Sequence, residues 1–378
     1  MADAYILGIE TSCDETAAAV VRSGEHVESN VVFSQLATHR PFEGVVPELA
    51  SREHLRGIVP VVRQALAEAG RTYQTVDAIA VTQGPGLAGA LLVGVTYAKA
   101  LAWSLEKPLI AVNHLEGHIH AVLLEEKQKG NRDVHFPVLA LVVSGGHTHL
   151  YLAEERERGW TYQNIGQTRD DAAGEAFDKV AKLLGLGYPG GPVIDKLSAH
   201  GNASVVAFAT PQIKKPARNA AAPSEELTEF SYSGIKTAVL RYVEAHSLRD
   251  AIEKRRAALA AIPKPGVEDY LRLCDRQTLD LVASFQHAMV EDLVGKTLAA
   301  ARDRDVATLF VTGGVAANRA LRQRFEQRAA QEGLPAFFPS RPLSTDNAAM
   351  IAAAAYPKFL AGEVAEPEFS AEAALRLG

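Results

Sequence analysis

Along the first 34 positions short apolar, β-type runs alternate with turn residues, and this pattern predicts three strands, Tyr5 to Glu10, Thr16 to Arg22 and Val27 to Ser34. The tight segment Thr11 to Glu15 joins the first two. Spacing then becomes helical over Pro47 to Ala69, with Gly70 as the stop, and again over Pro85 to Leu105, closed by Pro108. Apolar runs at Ala78 to Thr82 and Leu109 to Val112 predict buried strands on either side of the second helix. A polar stretch, Glu125 to Asp133, separates this half from one that starts over with strands at Phe136 to Val143, Leu150 to Ala153 and Tyr162 to Ile165. Helices follow near Ala173 to Leu184, Ser233 to Ala245 and Cys274 to Arg302, then a strand at Thr308 to Val311 and a helix at Ala316 to Gln331. No fixed-period repeat links the halves, so an internal duplication would lie in element order alone. Three strands followed by alternating helix and strand predict the α/β class with a mixed sheet. Residues Ser247 to Leu271, rich in Ala, Arg, Lys and Glu and broken by Pro263-Lys264-Pro265-Gly266, predict an inserted helical hairpin.

Length and charge narrow this picture. At 378 residues the chain exceeds the size of one core, so two domains are expected. A net charge of −6 argues against a general nucleic-acid binder, because phosphate contacts need a basic field. Basic residues do cluster locally, at Lys214, Lys215 and Arg218, at Lys236 and Arg241, at Lys254, Arg255 and Arg256, and at Arg319, Arg322, Arg324 and Arg328. Any RNA contact would therefore be a patch. The first strand begins so early that no signal peptide is expected, and no stretch reads as a membrane span. Two cysteines, Cys13 and Cys274, make no framework and fit a reducing cytoplasm.

The candidate chemistry is concentrated in His114-Leu115-Glu116-Gly117-His118. Two imidazoles four residues apart share one helix face, a ready pair of metal ligands. In zinc peptidases the glutamate directly follows the first histidine; here Leu115 holds that position and Glu116 is expected to face away, which weakens a peptidase reading. Asp346 follows Ser344-Thr345, so it is either a helix cap or the oxygen donor that completes a two-histidine, one-carboxylate site. Glycine turns end several strands, at Thr82 to Gly86, Val143-Ser144-Gly145-Gly146-His147-Thr148 and Val311 to Asn318, with a further one at Tyr188 to Pro192. Glycine backbones approach anions closely, so these turns in both halves favour a nucleotide held in a cleft between two α/β units. Neither a P-loop nor a dinucleotide fingerprint is present. Asp14 and Glu15 in the first turn, with Asp170, Asp171, Asp178 and Asp195, are further acids that turns or chemistry could claim.

Strings in one order over nearly the whole chain now resemble a known family: Ile9 to Thr16, Gly44 to Arg52, Gly84 to Leu87, His114 to His118, Ser144 to Thr148, Asp170 to Lys179, Tyr188 to Pro192, Phe230 to Thr237 and Thr345 to Asn347. They look like the bacterial tRNA N6-adenosine threonylcarbamoyltransferases. The resemblance implies two actin-like, ribonuclease-H-like domains of the sugar kinase, Hsp70 and actin superfamily around a nucleotide cleft. Residues 1–133 with 346–378 would form one, and 134–345 the other, carrying the insertion near 247–271. It implies transfer of the threonylcarbamoyl group from threonylcarbamoyl-AMP to N6 of adenosine 37 in tRNAs reading ANN codons, releasing AMP. One divalent ion, iron or zinc, would sit on His114, His118 and Asp346. The acyl-adenylate would rest on Val142, Val143, Ser144, Gly145, Gly146, Asp178, Gly191, Asp195 and Asn318, with Asp14 and Glu15 as the acids tied to activity. Implied partners are tRNA, a paralogous TsaB-like dimer partner, with the helix over Pro47 to Ala69 as candidate contact, and a TsaE-like P-loop ATPase. Asn113 stands where many members carry another histidine, and the insertion exceeds the common form. Its run Lys254-Arg255-Arg256 is read as a solvated helical face ahead of an added RNA contact. The competing classes are a metallopeptidase, an ATP-hydrolysing chaperone or kinase, and a non-catalytic scaffold.

Overall fold

Strand β1 (Tyr5–Glu10) is buried from Ile6 to Glu10 and sits mid-sheet, so both its faces must be covered. The computed structural model describes residues 3–156, 159–208 and 228–378. After β1 come β2 (Glu15–Arg22), β3 (His26–Ser34), a single turn α1 (Leu36–His39), α2 (Pro47–Glu68), β4 (Ala78–Gly84), α3 (Ala88–Leu105), β5 (Leu109–Asn113) and α4 (His114–Gln128). The second half runs β6 (Val138–Val143), β7 (Thr148–Arg156), β8 (Gly159–Thr168), α5 (Ala173–Leu183), α6 (Gly190–Ser198), β9 (Thr228–Phe230) and α7 (Ser233–Ala245). It continues through α8 (Arg249–Ala260), α9 (Val267–Leu273), α10 (Arg276–Asp303), β10 (Thr308–Thr312), α11 (Arg319–Gln331), β11 (Ala336–Phe337), α12 (Arg341–Ser344) and α13 (Ala348–Ala361).

Among the described residues two sheets form, in the orders β3-β2-β1-β4-β5 and β11-β10-β6-β7-β8-β9. Numbered from each sheet's own first strand, both read 3-2-1-4-5. The first three strands pair antiparallel and the last two parallel, and β9 adds an edge to the second sheet. The duplication is thus one of topology, which no sequence repeat records.

Alternation along β6 distributes the two cores. Leu139, Leu141 and Val143 face the helices of the second half, whereas Val138, Ala140 and Val142 face α4. Helix α4 lies between the sheets: Leu115, Ile119 and Val122 pack with β6, while Ala121 and Leu124 join α13 and the first sheet. Helix α13 returns the chain to the first sheet, against β1, β2 and β4.

Several expectations shift. The polar run after Glu125 prolongs α4 to Gln128, and the helix expected from Ala316 is interrupted, because Asn318 caps a new helix by accepting from the Leu321 amide at 3.0 Å. Helix α3 has the length and apolar composition that could cross a membrane, with mean hydropathy 1.3. It lies instead on β4 and α2, burying Leu91, Gly94, Val95 and Ala98. The inserted segment is helical, as α8 and α9, and Lys254 in its basic run is exposed as expected, but Arg255 is buried, donating to the carbonyls of Leu184 (2.6 Å) and Leu273 (3.2 Å) and to the Thr278 hydroxyl (2.8 Å). The Lys214, Lys215 and Arg218 cluster lies outside the described residues.

Candidate metal centre and nucleotide cleft

Strand β5 delivers the chain to α4, whose first residue is His114. Asn113 caps the helix, its side-chain oxygen accepting from the Leu115 amide at 2.9 Å. One turn on, His118 meets His114 edge to face, ring centroids 4.7 Å apart. Asp346 arrives on the loop before α13. Its cap role falls instead to Asn347, which accepts from the Met350 amide at 3.1 Å and so leaves the Asp346 carboxylate uncommitted. Two glycines allow this approach. A Cβ on Gly8 would lie 2.3 Å from the Ala348 carbonyl oxygen, so a side chain there would push α13 and its leading aspartate away, and one on Gly117 would lie 2.8 Å from Ile351 Cδ1, so that side chain would have to repack.

Asp346 Oδ1 lies 3.3 Å from His118 Nε2 and 3.5 Å from His114 Nε2, and one donor atom from each residue falls within 4.8 Å of the other two. The two measured separations are those of donors bonding one ion at about 2.1 Å. His118 is fully buried, its Nδ1 has no hydrogen-bond partner and its Nε2 faces only the Asp346 carboxylate, so a lone pair is free for a ligand; the residues fit a metal ion.

Glu10, absent from the sequence-derived candidates, stands behind the site. Its carboxylate faces His114 Nδ1 at 3.1 Å and accepts from the Thr82 hydroxyl at 2.6 Å and the Ser12 amide. Held so, His114 directs Nε2 toward the cluster, the carboxylate–histidine arrangement that orients metal ligands. Burial disfavours a charged His114, but Glu10 and Asp346 outweigh it and lift the imidazole to about 9. Burial would raise Asp346, yet His114 and His118 hold it below the usual carboxylate range. His147 also reaches this region, 6.1 Å from the His114 ring, and burial presses it down to about 3. The signal for Glu10 was an acid closing an otherwise apolar strand; that for His147 was a histidine directly after a glycine pair.

Beside the cluster opens a cavity of about 860 Å³. Of the predicted residues, Asp14, Glu15, Gly145, Asp178, Gly191, Asp195 and Asn318 line it, and Thr345, next to Asp346, closes it on the metal side. A Cβ on Gly145 or Gly146 would meet nothing within 4 Å, so this loop leaves room for a ligand. Val142 and Val143 do not reach the cavity through side chains, which are buried in β6, and Ser144 accepts from the His147 amide at 3.2 Å. Three polar residues are already engaged. Asp178 accepts from the Gly190 amide at 2.6 Å, Asp195 pairs with Arg319 at 3.2 Å, and Asn318 donates to Gln286 at 2.8 Å besides capping α11. Burial lifts Asp178 to about 6. Burial, then Asp14 and Asp346, push Glu15 up to about 10. Glu116 points away, as expected, onto Lys358 Nζ at 2.7 Å.

Fold and site together define a two-domain actin-like protein with a histidine–histidine–aspartate cluster at the edge of its cleft. A model of the tRNA N6-adenosine threonylcarbamoyltransferases, TsaD, matches residues 26–353. A protein of that name from Koribacter versatilis is 68% identical over the full length of both chains, and one from Clostridium perfringens is 46% identical, covering 99% of this chain and 98% of its own. A full-length HypF solved in a phosphate- and nucleotide-bound form shares the fold at 12% identity, TM-score 0.55, covering 96% of this chain and 56% of its own. The chain belongs to the tRNA N6-adenosine threonylcarbamoyltransferase family.

Proposed function

We propose that this protein transfers the threonylcarbamoyl group of threonylcarbamoyl-AMP to N6 of adenosine 37 in tRNAs reading ANN codons. The observation that carries this reading is the convergence of His114, His118 and Asp346 beside a cavity of nucleotide size. In the reaction the bond from the carbamoyl carbon to the phosphate oxygen breaks, a bond from that carbon to N6 forms, N6 loses a proton, and AMP departs. N6 is a poor nucleophile because its lone pair is delocalised into the purine, so alignment and charge stabilisation dominate the catalytic task.

His114, His118 and Asp346 would hold one divalent ion, iron(II) as first assignment from the two-histidine, one-carboxylate donor set and zinc as the second. When bound, such an ion supplies Lewis acidity that polarises a carbonyl. The chain's own residues do the rest. The Gly145-Gly146 loop and the start of α6 at Gly191 receive the adenylate, with Asp178, Asp195 and Asn318 as the polar wall over Val142 to Ser144. Glu15, protonated at neutral pH, is suited to donate a hydrogen bond, which leaves Asp14 to accept the N6 proton.

Residues 1–133 with 346–378 and residues 134–345 are the two domains of this reading, in keeping with the packing of α13 on the first sheet. A TsaB-like partner would cover the outer face of α2 and α3, where Leu55, Val59 and Leu92 are exposed, and a TsaE-like ATPase would act with the pair. Two free cysteines agree with the cytoplasm. A peptidase reading lacks its base, since Glu116 is bound to Lys358.

Incubation of the purified protein and its proposed partners with threonylcarbamoyl-AMP and unmodified tRNA, followed by nucleoside mass analysis, tests the proposal. Wild type should form the modified nucleoside and carry close to one metal ion per chain by elemental analysis; Asp346→Ala should lose both. Product formed at the wild-type rate by Asp346→Ala would overturn the assignment.

A further inference from the structure

We propose that His54, on α2, is a positioning residue that fixes the Asp14–Glu15 turn facing the cleft. The proposal rests on those acids acting in the reaction as proposed above. His54 is wholly buried, and its ring touches the residues on either side of the acidic pair: Nε2 lies 2.9 Å from the Cys13 carbonyl oxygen and Nδ1 lies 2.8 Å from the Thr16 hydroxyl. A carbonyl only accepts, so Nε2 carries the hydrogen and Nδ1 accepts from the threonine. One neutral tautomer satisfies both bonds, and burial favours that neutral form.

The bracket matters because the β2–β3 ladder, which pairs Glu15 with Ser34 and Thr16 with Phe33, holds the turn on one side only. Upstream, α3 holds the strand end, with Thr11 donating to the Ala90 carbonyl at 3.0 Å and the Leu87 amide to Ser12 at 2.8 Å. Downstream, the Gln35 amide reaches the Asp14 carbonyl at 2.9 Å and the Ser34 hydroxyl reaches Glu15 at 3.3 Å. Between these, the backbone from Cys13 to Thr16 is attached to α2 by His54. The ring stands behind the turn and does not line the cavity, whereas Asp14 and Glu15 do. A buried histidine serving packing alone would need only volume. This one spends both nitrogens on the same four-residue turn.

His54→Phe keeps the volume and removes both bonds. In the transfer assay with the complete set of partners, kcat should fall on the order of 100-fold while KM for the adenylate and metal content stay within about twofold, because displacement of a reacting group by about 1 Å costs roughly that factor. His54→Gln, able to restore one bond, should recover part of the loss. In the Asp14→Asn background His54→Phe should add far less than 100-fold, since the group it positions is already gone. Should His54→Phe fail to fold, Thr16→Val deletes the single bond to Nδ1 and should lower kcat by a smaller factor with the same unchanged KM. A folded His54→Phe enzyme with wild-type kcat, or full additivity with Asp14→Asn, overturns the positioning role and leaves the transferase reading intact. Full activity in an Asp14→Asn, Glu15→Gln double variant would instead remove the role of the acids, and this inference with it.

Discussion

Glu15 shows how one side chain couples the cleft to stability. Burial, Asp14 and Asp346 raise its carboxyl from 4.5 to about 10. Below pH 4.5 both folded and unfolded chains carry the proton and nothing is lost. Between 4.5 and about 10 the unfolded chain releases a proton that the folded chain keeps, so stability declines as pH rises through that window. Glu15→Gln removes the ionisable group, and its melting temperature should exceed wild type by a few degrees at pH 8 and match it near pH 4.5, measured by calorimetry at both. The same variant should cost less activity than Asp14→Asn, because glutamine imitates a protonated glutamate. Equal melting curves at pH 8 would refute the raised pKa.

At the scale of elements, the helical hairpin is decided by one buried cation. Arg255 ties α8 to the end of α5, the end of α9 and the start of α10 through Leu184, Leu273 and Thr278. Arg255→Ala leaves buried carbonyls without donors, and an effect of about 2–5 kcal/mol on unfolding in guanidinium is expected, against almost none for Lys254→Ala. Affinity for tRNA should be unchanged in Lys254→Ala, which separates a structural from an RNA-binding hairpin. A composition rich in Ala, Arg, Lys and Glu revealed that this segment is helical, yet charge read along the chain misjudged Arg255 within its basic run. An arginine can be exposed or bonded to carbonyls with the same neighbours in sequence. The split at Asn318 was hidden for a similar reason: the residue caps α11, and apolar spacing continues across it.

Across the whole molecule, burial keeps several imidazoles neutral, one on α4 between the two sheets and two around the start of β7. His120 and His147 are pressed down to about 3 and His149 to about 4. Their unfolded forms take up protons below about 6.5 while the folded forms do not, so stability is retained at neutral pH and falls as acidity increases from 6.5 toward 4. The guanidinium midpoint should drop steeply between pH 7 and pH 5, and His120→Gln, which keeps a polar atom toward Tyr162, should flatten the drop. An unchanged midpoint over that range would contradict the buried neutral histidines.

The sequence alone determined most of the elements and two of the three metal ligands, because both are local. Side-chain periods of two and of about 3.6 identify strand and helix within a few residues, and the four-residue spacing brings His114 and His118 onto one helix face without help from the rest of the chain. The motif strings were equally legible, and with them the family. The tertiary structure alone decided the rest. Asp346 completes the cluster only because α13 packs closely on β1 and α4 at Gly8 and Gly117, and Glu10 acquires its role only because β1 ends beside His114. Contacts between distant segments follow from how the sheets and helices pack, and burial, which sets the protonation of Glu15, Asp178 and His120, exists only once that packing has formed.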